Sequence, residues 1–527
     1  MAKNKDIVLI SPPSRVVGAR PYYPKCSEAM GLSYLATILQ KEGYHPHILD
    51  MEVHELSDQD VLAKARQINE SPLVVGIAAL SKTTINHALQ LAASVKANLP
   101  YTHVTFGGHL ATFVHGELLG RYPFIDSIVR GEGEITLLEL ARALENGNPL
   151  EAIEGISFRS SGSIVHNKKR EGIDDLDTIP FPSRYNLEGI RDSNQRVPVC
   201  SSRGCYGGCA FCTLAFFTKK WRARSPKNVV DELQELYEKG VRKIRFDDEN
   251  FLGHTKEGRE RAIEIAEEIK ARKFPKPLQY KILCRVDDVD EPLLRKMKES
   301  GLEKISAGIE SFNQRQLDFY HKSISPAQID NVIGIVRRLG LSANFSFIMF
   351  DPYVTLDEVS HNLEQMAKMP EYFEYRRLIS RLKPDIGTAI TKRLEKDGLL
   401  EKRGEFEYDF RFVHPESESL WRMVERAQKK CLPLDEKVAE VKDERIAFVL
   451  ENRKKGIKDP KEKQMLEKIE RAEKIMYSGW VEILREGIGL AREHKEPSEK
   501  EFPDRIEEYF RRASGCLDEA RAILREA

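Results

Sequence analysis

Short apolar runs alternate with amphipathic helical segments twice along this chain of 527 residues, and that alternation restricts it to layered α/β architecture. In the first set, apolar runs at residues 6–10, 47–50, 73–80, 104–108 and 127–130 read as buried parallel strands. Between them Leu32, Leu35, Ile38 and Leu39 share one helical face, as do Ile85, Ala88, Leu89 and Ala92. The expectation is a doubly wound Rossmann or flavodoxin-like domain over residues 1–145. Residues 146–195 read as a linker, with a hairpin turning at Ser161-Gly162 and a proline-punctuated stretch at 173–183. The second set puts strands at 197–201, 243–246, 279–283, 304–307, 342–350 and 376–382, with helices at 226–239, 256–272, 291–299, 326–339 and 355–368. Six such units predict a partial (β/α)6 TIM-type barrel over 196–390. Residues 391–527 predict an all-helical domain. Met465, Ile469, Ala472, Met476, Trp480, Ile483 and Leu484 form one apolar face there, and Ile506, Tyr509, Phe510, Ala513, Leu517, Ala520 and Leu524 form another. Packing is the expected role of these faces. A substrate-lining role for Tyr408, Phe410, His414 or Trp480 is the alternative.

The loop after the first barrel strand carries Cys205, Cys209 and Cys212 at the spacing C-x3-C-x2-C. One short loop at this spacing can wrap three thiolates around a 4Fe-4S cube and leave the fourth iron open to a ligand. Gly207 and Gly208 suit its tight path. A structural zinc site is the competing reading, but zinc takes four closed ligands and no second C-x2-C or H-x3-H pair appears in the chain. Cys200 ends an apolar run and reads as a strand residue. Cys26, Cys284, Cys431 and Cys516 are scattered singly and make no disulfide framework, which together with the lack of a signal segment or an apolar run of membrane-spanning length predicts a cytoplasmic protein.

This cysteine motif, with Phe211 before its third cysteine, resembles that of the radical S-adenosylmethionine (radical SAM) enzymes. The resemblance implies that the open iron chelates S-adenosylmethionine (SAM). It also implies cofactor contacts from Phe211 and from residues at successive strand ends: Asp248 and Glu249 for the ammonium, Arg285 for the carboxylate, Glu310 and Ser311 for the ribose or amino group. Taken singly, each carboxylate could be an exposed pair or a helix cap. Their recurrence at strand ends of one barrel favours the cofactor reading.

The first domain resembles the cobalamin-binding domain that precedes many radical SAM barrels, in Met30-Gly-Leu-Ser-Tyr-Leu-Ala36, in the Gly107-Gly-His109 turn and in Val129-Arg-Gly-Glu-Gly-Glu134. On this resemblance the cobalamin-binding candidates are Ser11, Pro13, Ser81, Thr83, Thr84, Gly107, Gly108, His109, Gly131, Glu132 and Gly133. The pattern D-x-H-x-x-G, by which other cobalamin proteins ligate cobalt, is absent; Asp50-Met-Glu-Val-His54 has the wrong spacing. Cobalamin without histidine coordination is therefore expected, with His109 a loop residue near the nucleotide tail.

The resemblance as a whole is to class B methylase-like members of the family, which implies methylation of an unactivated carbon or a phosphinate phosphorus of a small molecule through a 5′-deoxyadenosyl radical. A non-methylating rearrangement, cyclisation, ring contraction or deoxygenation is the alternative; a ligand sensor would need an output module, and none is visible. An electron donor such as flavodoxin or ferredoxin is implied as partner. Lysine plus arginine equals aspartate plus glutamate, 83 each, so no global field draws nucleic acid, and nothing suggests membrane attachment.

Overall fold

The computed structural model describes residues 4–13, 27–217, 220–454, 459–494 and 501–525. Cys26 lies outside them. Two compact units emerge, Met1–Glu188 with Arg222–Asn228, and Gly189–Trp221 with Val229–Ala527.

In the first unit a seven-stranded sheet runs in the order β2-β1-β3-β4-β5-β6-β7. Its strands are β1 (Asp6–Ser11), β2 (His45–Asp50), β3 (Val74–Ala78), β4 (His103–Gly107), β5 (Ser127–Val129), β6 (Ile156–Ser160) and β7 (Ser163–His166). The first five are parallel, and β6 joins β5 antiparallel. Ile7, Val8, Leu9 and Ile10 are all buried, as a strand covered by helices on both faces requires. Helices Met30–Lys41 and Glu134–Asn146 bury Leu32, Ala36, Leu39, Leu137 and Leu140 against the sheet. The hairpin expected in the linker is instead the edge of this same sheet. Ser161 (φ 48°) and Gly162 (φ 81°) make its two-residue turn, both in the left-handed region that a twisted hairpin needs.

The second unit is built on five parallel strands in chain order, Val197–Val199, Lys243–Phe246, Gln279–Cys284, Leu302–Glu310 and Ser342–Phe347. Helix ends are set by local chemistry. Ser325 and Gln328 form a capping box with Pro326 in the first turn, and Gly340 closes the same helix in the left-handed region. The sixth strand expected at 376–382 is reduced to one parallel bridge, Phe350 to Arg381. Tyr375–Arg377 is a 3-10 turn, and the Arg381 guanidinium stacks 4.0 Å from the Phe410 ring and 4.8 Å from Trp421. That cation–π cage draws the segment toward the C-terminal region and leaves only a short strand contact.

Three helices complete this unit, Pro415–Lys454, Lys461–Arg492 and Glu501–Arg525. The expected apolar face is its core: Met465, Ile469, Ala472, Met476, Trp480, Ile483 and Leu484 are all buried. Trp480 is buried in it, whereas Phe410, against Phe412 and Arg381, lines a small charged pocket with Trp421. At Gly479 a Cβ would fall 2.8 Å from Tyr509 Cγ, so the glycine permits close approach of the third helix. The middle helix docks on Leu356–Ala367, where the Tyr477 hydroxyl donates to the Met366 carbonyl (2.9 Å) and Arg485 forks onto Glu364 (2.8 and 2.9 Å). Among the described residues no helix is long and apolar enough to cross a membrane.

Candidate functional site: a three-cysteine loop and two sets of strand ends

The cysteine loop leaves the first barrel strand and is pinned at both ends. The Gly204 N–H donates to Glu249 Oε2 (3.0 Å), and the Ala210 N–H donates to the Tyr320 carbonyl (2.8 Å). Gly204 has φ 84°, a conformation glycine adopts without strain. Cys209 is buried, and Cys205 and Cys212 are partly exposed. The Gly207 N–H points at Cys205 Sγ (3.4 Å), and Arg285 Nη1 lies 3.5 Å from Cys209 Sγ. A side chain at Gly207 would collide with Arg285. Among the described residues no three His, Cys, Asp or Glu side chains converge on a single ion. The donor set suits a cluster: three sulfurs on one loop, with a backbone N–H and a guanidinium aimed at sulfur.

The remaining expected residues divide sharply by environment. Asp248 is 1% exposed. Its carboxylate accepts from the Ser201 N–H (2.7 Å), the Ser201 hydroxyl (2.5 Å) and the Ser202 hydroxyl (2.9 Å), so it ties the second strand end to the first. Burial pushes its carboxyl up, against those hydrogen bonds. Glu249, beside it, is partly exposed and accepts from the Gly204 N–H; burial pushes its carboxyl up as well. Arg285 spends its fork internally. Nε donates to Asp287 (2.9 Å) and to the Tyr206 hydroxyl (3.0 Å), and Nη2 donates to Asp287 (3.1 Å) and the Lys322 carbonyl (2.7 Å). Burial opposes its charge, yet Asp287 holds the guanidinium above its ordinary range. The expected carboxylate clamp is thus turned toward the cysteine loop.

Glu310 sits in the left-handed region (φ 63°) at a break in the strand register. Its carboxylate receives Lys322 Nζ (3.2 Å) and the Ser346 hydroxyl (3.2 Å). Ser311 is fully buried and bonded to Gln316 (2.6 Å) and Asn362 (3.2 Å), which makes it part of the scaffold rather than a cofactor contact. Phe211 packs edge-on against Tyr320, ring centres 5.8 Å apart. Sequence reasoning missed the supports behind these groups. The Tyr206 hydroxyl donates to Asp288 (2.8 Å), and Asn250 Nδ2 donates to the other oxygen of Asp288 (2.7 Å). Tyr206 stands between two of the cysteines and Asp288 three residues after Arg285, a proximity in sequence that could have flagged both.

In the first unit the sheet order reverses between β1 and β3, and Ser11, Pro13 and residues 81–84 follow the carboxyl ends of those strands. The Ser81 and Thr83 hydroxyls lie 2.7 Å apart. Thr84 is turned inward: its hydroxyl donates to the Ser81 carbonyl (3.1 Å) and accepts from the Ser81 N–H (3.2 Å). Gly108 has φ 107°, and a Cβ there would meet Leu80 at 2.7 Å. Leu80 itself is 50% exposed at the end of β3, an apolar surface at the mouth of the sheet. His109 opens the helix His109–Phe113, and burial holds its imidazole on the neutral side. Gly107 ends β4, Gly131 (φ 77°) donates its N–H to Thr112 Oγ1 (3.1 Å), and Gly133 packs on Leu35. Glu132 accepts from the Ile173 N–H (2.9 Å) and pairs with Arg222, so its carboxylate holds the segment after the hairpin and is not free for a nucleotide. The glycines, the two hydroxyls and the exposed leucine suit a large, partly apolar cofactor with a polar tail.

Comparison with known proteins follows this division. Residues 20–141 match the B12 binding domain family, and residues 199–366 match the radical SAM superfamily. An uncharacterized methyltransferase of Pyrococcus horikoshii is 32% identical over 70% of this chain and 79% of its own length. An anaerobic magnesium-protoporphyrin IX monomethyl ester cyclase of Cereibacter sphaeroides is 32% identical over 64% of this chain, which spans 55% of the cyclase. The solved structure of the cobalamin-dependent SAM radical enzyme OxsB, with aqua-cobalamin and SAM bound, superposes with a TM-score of 0.75 over 99% of this chain and 81% of that one; at 20% identity the likeness is one of fold. The chain belongs to the radical SAM superfamily, to its members with a B12-binding domain, whose cofactors are a 4Fe-4S cluster, SAM and cobalamin.

Proposed function

We propose that this cobalamin-dependent radical SAM enzyme methylates an unactivated carbon, or a phosphinate phosphorus, of a small molecule. The similarity to the Pyrococcus horikoshii methyltransferase across 79% of that protein is the observation that carries methylation. When bound, the cluster and SAM supply a 5′-deoxyadenosyl radical and cobalamin supplies the methyl group. Cys205, Cys209 and Cys212 would hold the cluster, with Arg285 offsetting thiolate charge at Cys209. Glu249 is the partly exposed carboxylate next to that loop, and it would accept the ammonium of SAM in a charge-assisted hydrogen bond. Glu310, held by Lys322 and Ser346, would face the ribose or amino group. Ser81, Thr83, Gly107, Gly108 and Gly131 would receive the cobalamin tail, with His109 neutral and off the metal. The domains of this reading are the B12-binding unit, the barrel and the helices docked on it, with an electron donor such as flavodoxin or ferredoxin as partner.

Anaerobic reconstitution followed by product analysis on small-molecule substrates tests this. S-adenosylhomocysteine together with 5′-deoxyadenosine is expected. Deoxyadenosine alone would favour the second reading, a non-methylating radical reaction, which the similarity to the cyclase supports.

A further inference from the structure

The cysteine loop and the strand ends leave the body of the barrel sheet without a role. One face of that sheet is covered by helices and carries Ile244, Phe246, Tyr280, Ile282, Ile305 and Phe345, all buried. The alternate residues turn to the opposite face. On it the parallel register sets Arg245 beside Lys281, and Lys281 beside Lys304. The third cation joins this row through an irregularity: Tyr280 pairs with Leu302 and Lys281 with Lys304, so Glu303 is skipped.

Like charges side by side on neighbouring strands destabilise a sheet, and burial of the ammonium groups adds to the cost. The protein does not neutralise them fully. Arg245 is paired with Asp247 (2.6 Å), and Arg196 at the edge of the row with Glu303 (2.5 Å). Glu374 acts on Lys304 but accepts its hydrogen bond from Asn344 (3.0 Å). Lys281 has no hydrogen-bond or salt-bridge partner among the described residues; burial first, then Arg245, Lys304 and Arg196 oppose its charge, and Asp247 alone favours it. Asp247 offsets part of the charge on Lys281 and Glu374 part of that on Lys304, and the row keeps a net positive field that suits a phosphoryl dianion better than a single carboxylate.

We propose that Arg245, Lys281 and Lys304 form the subsite for a phosphate or phosphonate group of the substrate, whose reacting atom lies at the carboxyl ends of the strands. This rests on the small-molecule chemistry proposed above. Three residues separate Lys281 from the strand end at Cys284, about 10 Å at roughly 3.3 Å per residue, which sets the length the substrate must span.

Calorimetric titration of the full-length protein with inorganic phosphate, against acetate at matched ionic strength, tests the assignment. Wild type should bind phosphate, and Lys281→Gln and Lys304→Gln should each weaken it at least about tenfold, roughly 1.4 kcal/mol. Without anion, both variants should melt no lower than wild type, because each loses a repulsive charge. Equal phosphate affinity in wild type and both variants would overturn the proposal, as would variants that melt lower or acetate binding as tight as phosphate. Failure of the radical reading would appear elsewhere, as absent SAM cleavage by wild type, and would leave phosphate binding intact.

Discussion

Asp248 and Glu249 are adjacent carboxylates with opposite fates. Asp248 is sealed among Ser201 and Ser202, whereas Glu249 keeps part of its surface open beside Gly204. Asp248→Ala should strip the Ser201 N–H of its acceptor and cost about 1–3 kcal/mol of folding stability, read from the urea midpoint. Glu249→Ala releases only the Gly204 N–H at a partly exposed site, so it should lower that midpoint less than Asp248→Ala does and weaken SAM binding by about 1.5–3 kcal/mol, the range for a hydrogen bond to a charged group. Loss of SAM affinity in the Asp248 variant at unchanged stability would reverse the two roles. Sequence alone could not separate these neighbours, since both are acidic and both follow a strand. What separates them is which side of the strand end faces Ser201.

At the scale of the element, the row across three barrel strands yields a pH signature. Lys281 is lowered to about 8 by burial first, then by Arg245 and Lys304, with Asp247 opposing and Arg196 adding to the repulsion. Its ordinary value is 10.5, so the native state gives up this proton first as pH rises. Stability therefore increases with pH between those two values, and the charge penalty is fully present below about 8. Lys281→Gln should unfold at higher urea than wild type near neutral pH, and the gap should narrow toward about pH 10. A gap independent of pH would show that the ammonium carries no such penalty. The alternation Gln279-Tyr-Lys-Ile-Leu-Cys284 already puts Lys281 on the polar phase of its strand. Its alignment with Lys304 was not legible, because it depends on a skipped residue in the partner strand. The vanished sixth strand has a similar origin: residues 376–382 have acceptable strand chemistry, but Arg381 finds the aromatic rings of Phe410 and Trp421.

At the scale of the whole molecule, replacing Cys205, Cys209 and Cys212 together by alanine should abolish brown iron–sulfur absorption and SAM cleavage while leaving a cooperative melt. The loop is tied down by Gly204, Ala210 and Phe211, none of which needs the thiols. Full iron loading and cleavage in that variant would refute the cluster assignment. Local spacing along the chain was enough to mark the cysteine loop, the glycine turns, both parallel sheets and the apolar faces of the C-terminal helices, because each is a periodicity or a ligand spacing carried by consecutive residues. The tertiary structure alone decided that the hairpin at Ser161-Gly162 extends the first sheet, that the C-terminal helices dock on the barrel's last helix, and that Arg285, Ser311, Thr84 and Glu132 are spent on the protein. The physical reason is common to all of these. A polar side chain satisfies itself on the nearest buried partner, and that partner is set by packing between segments far apart in sequence.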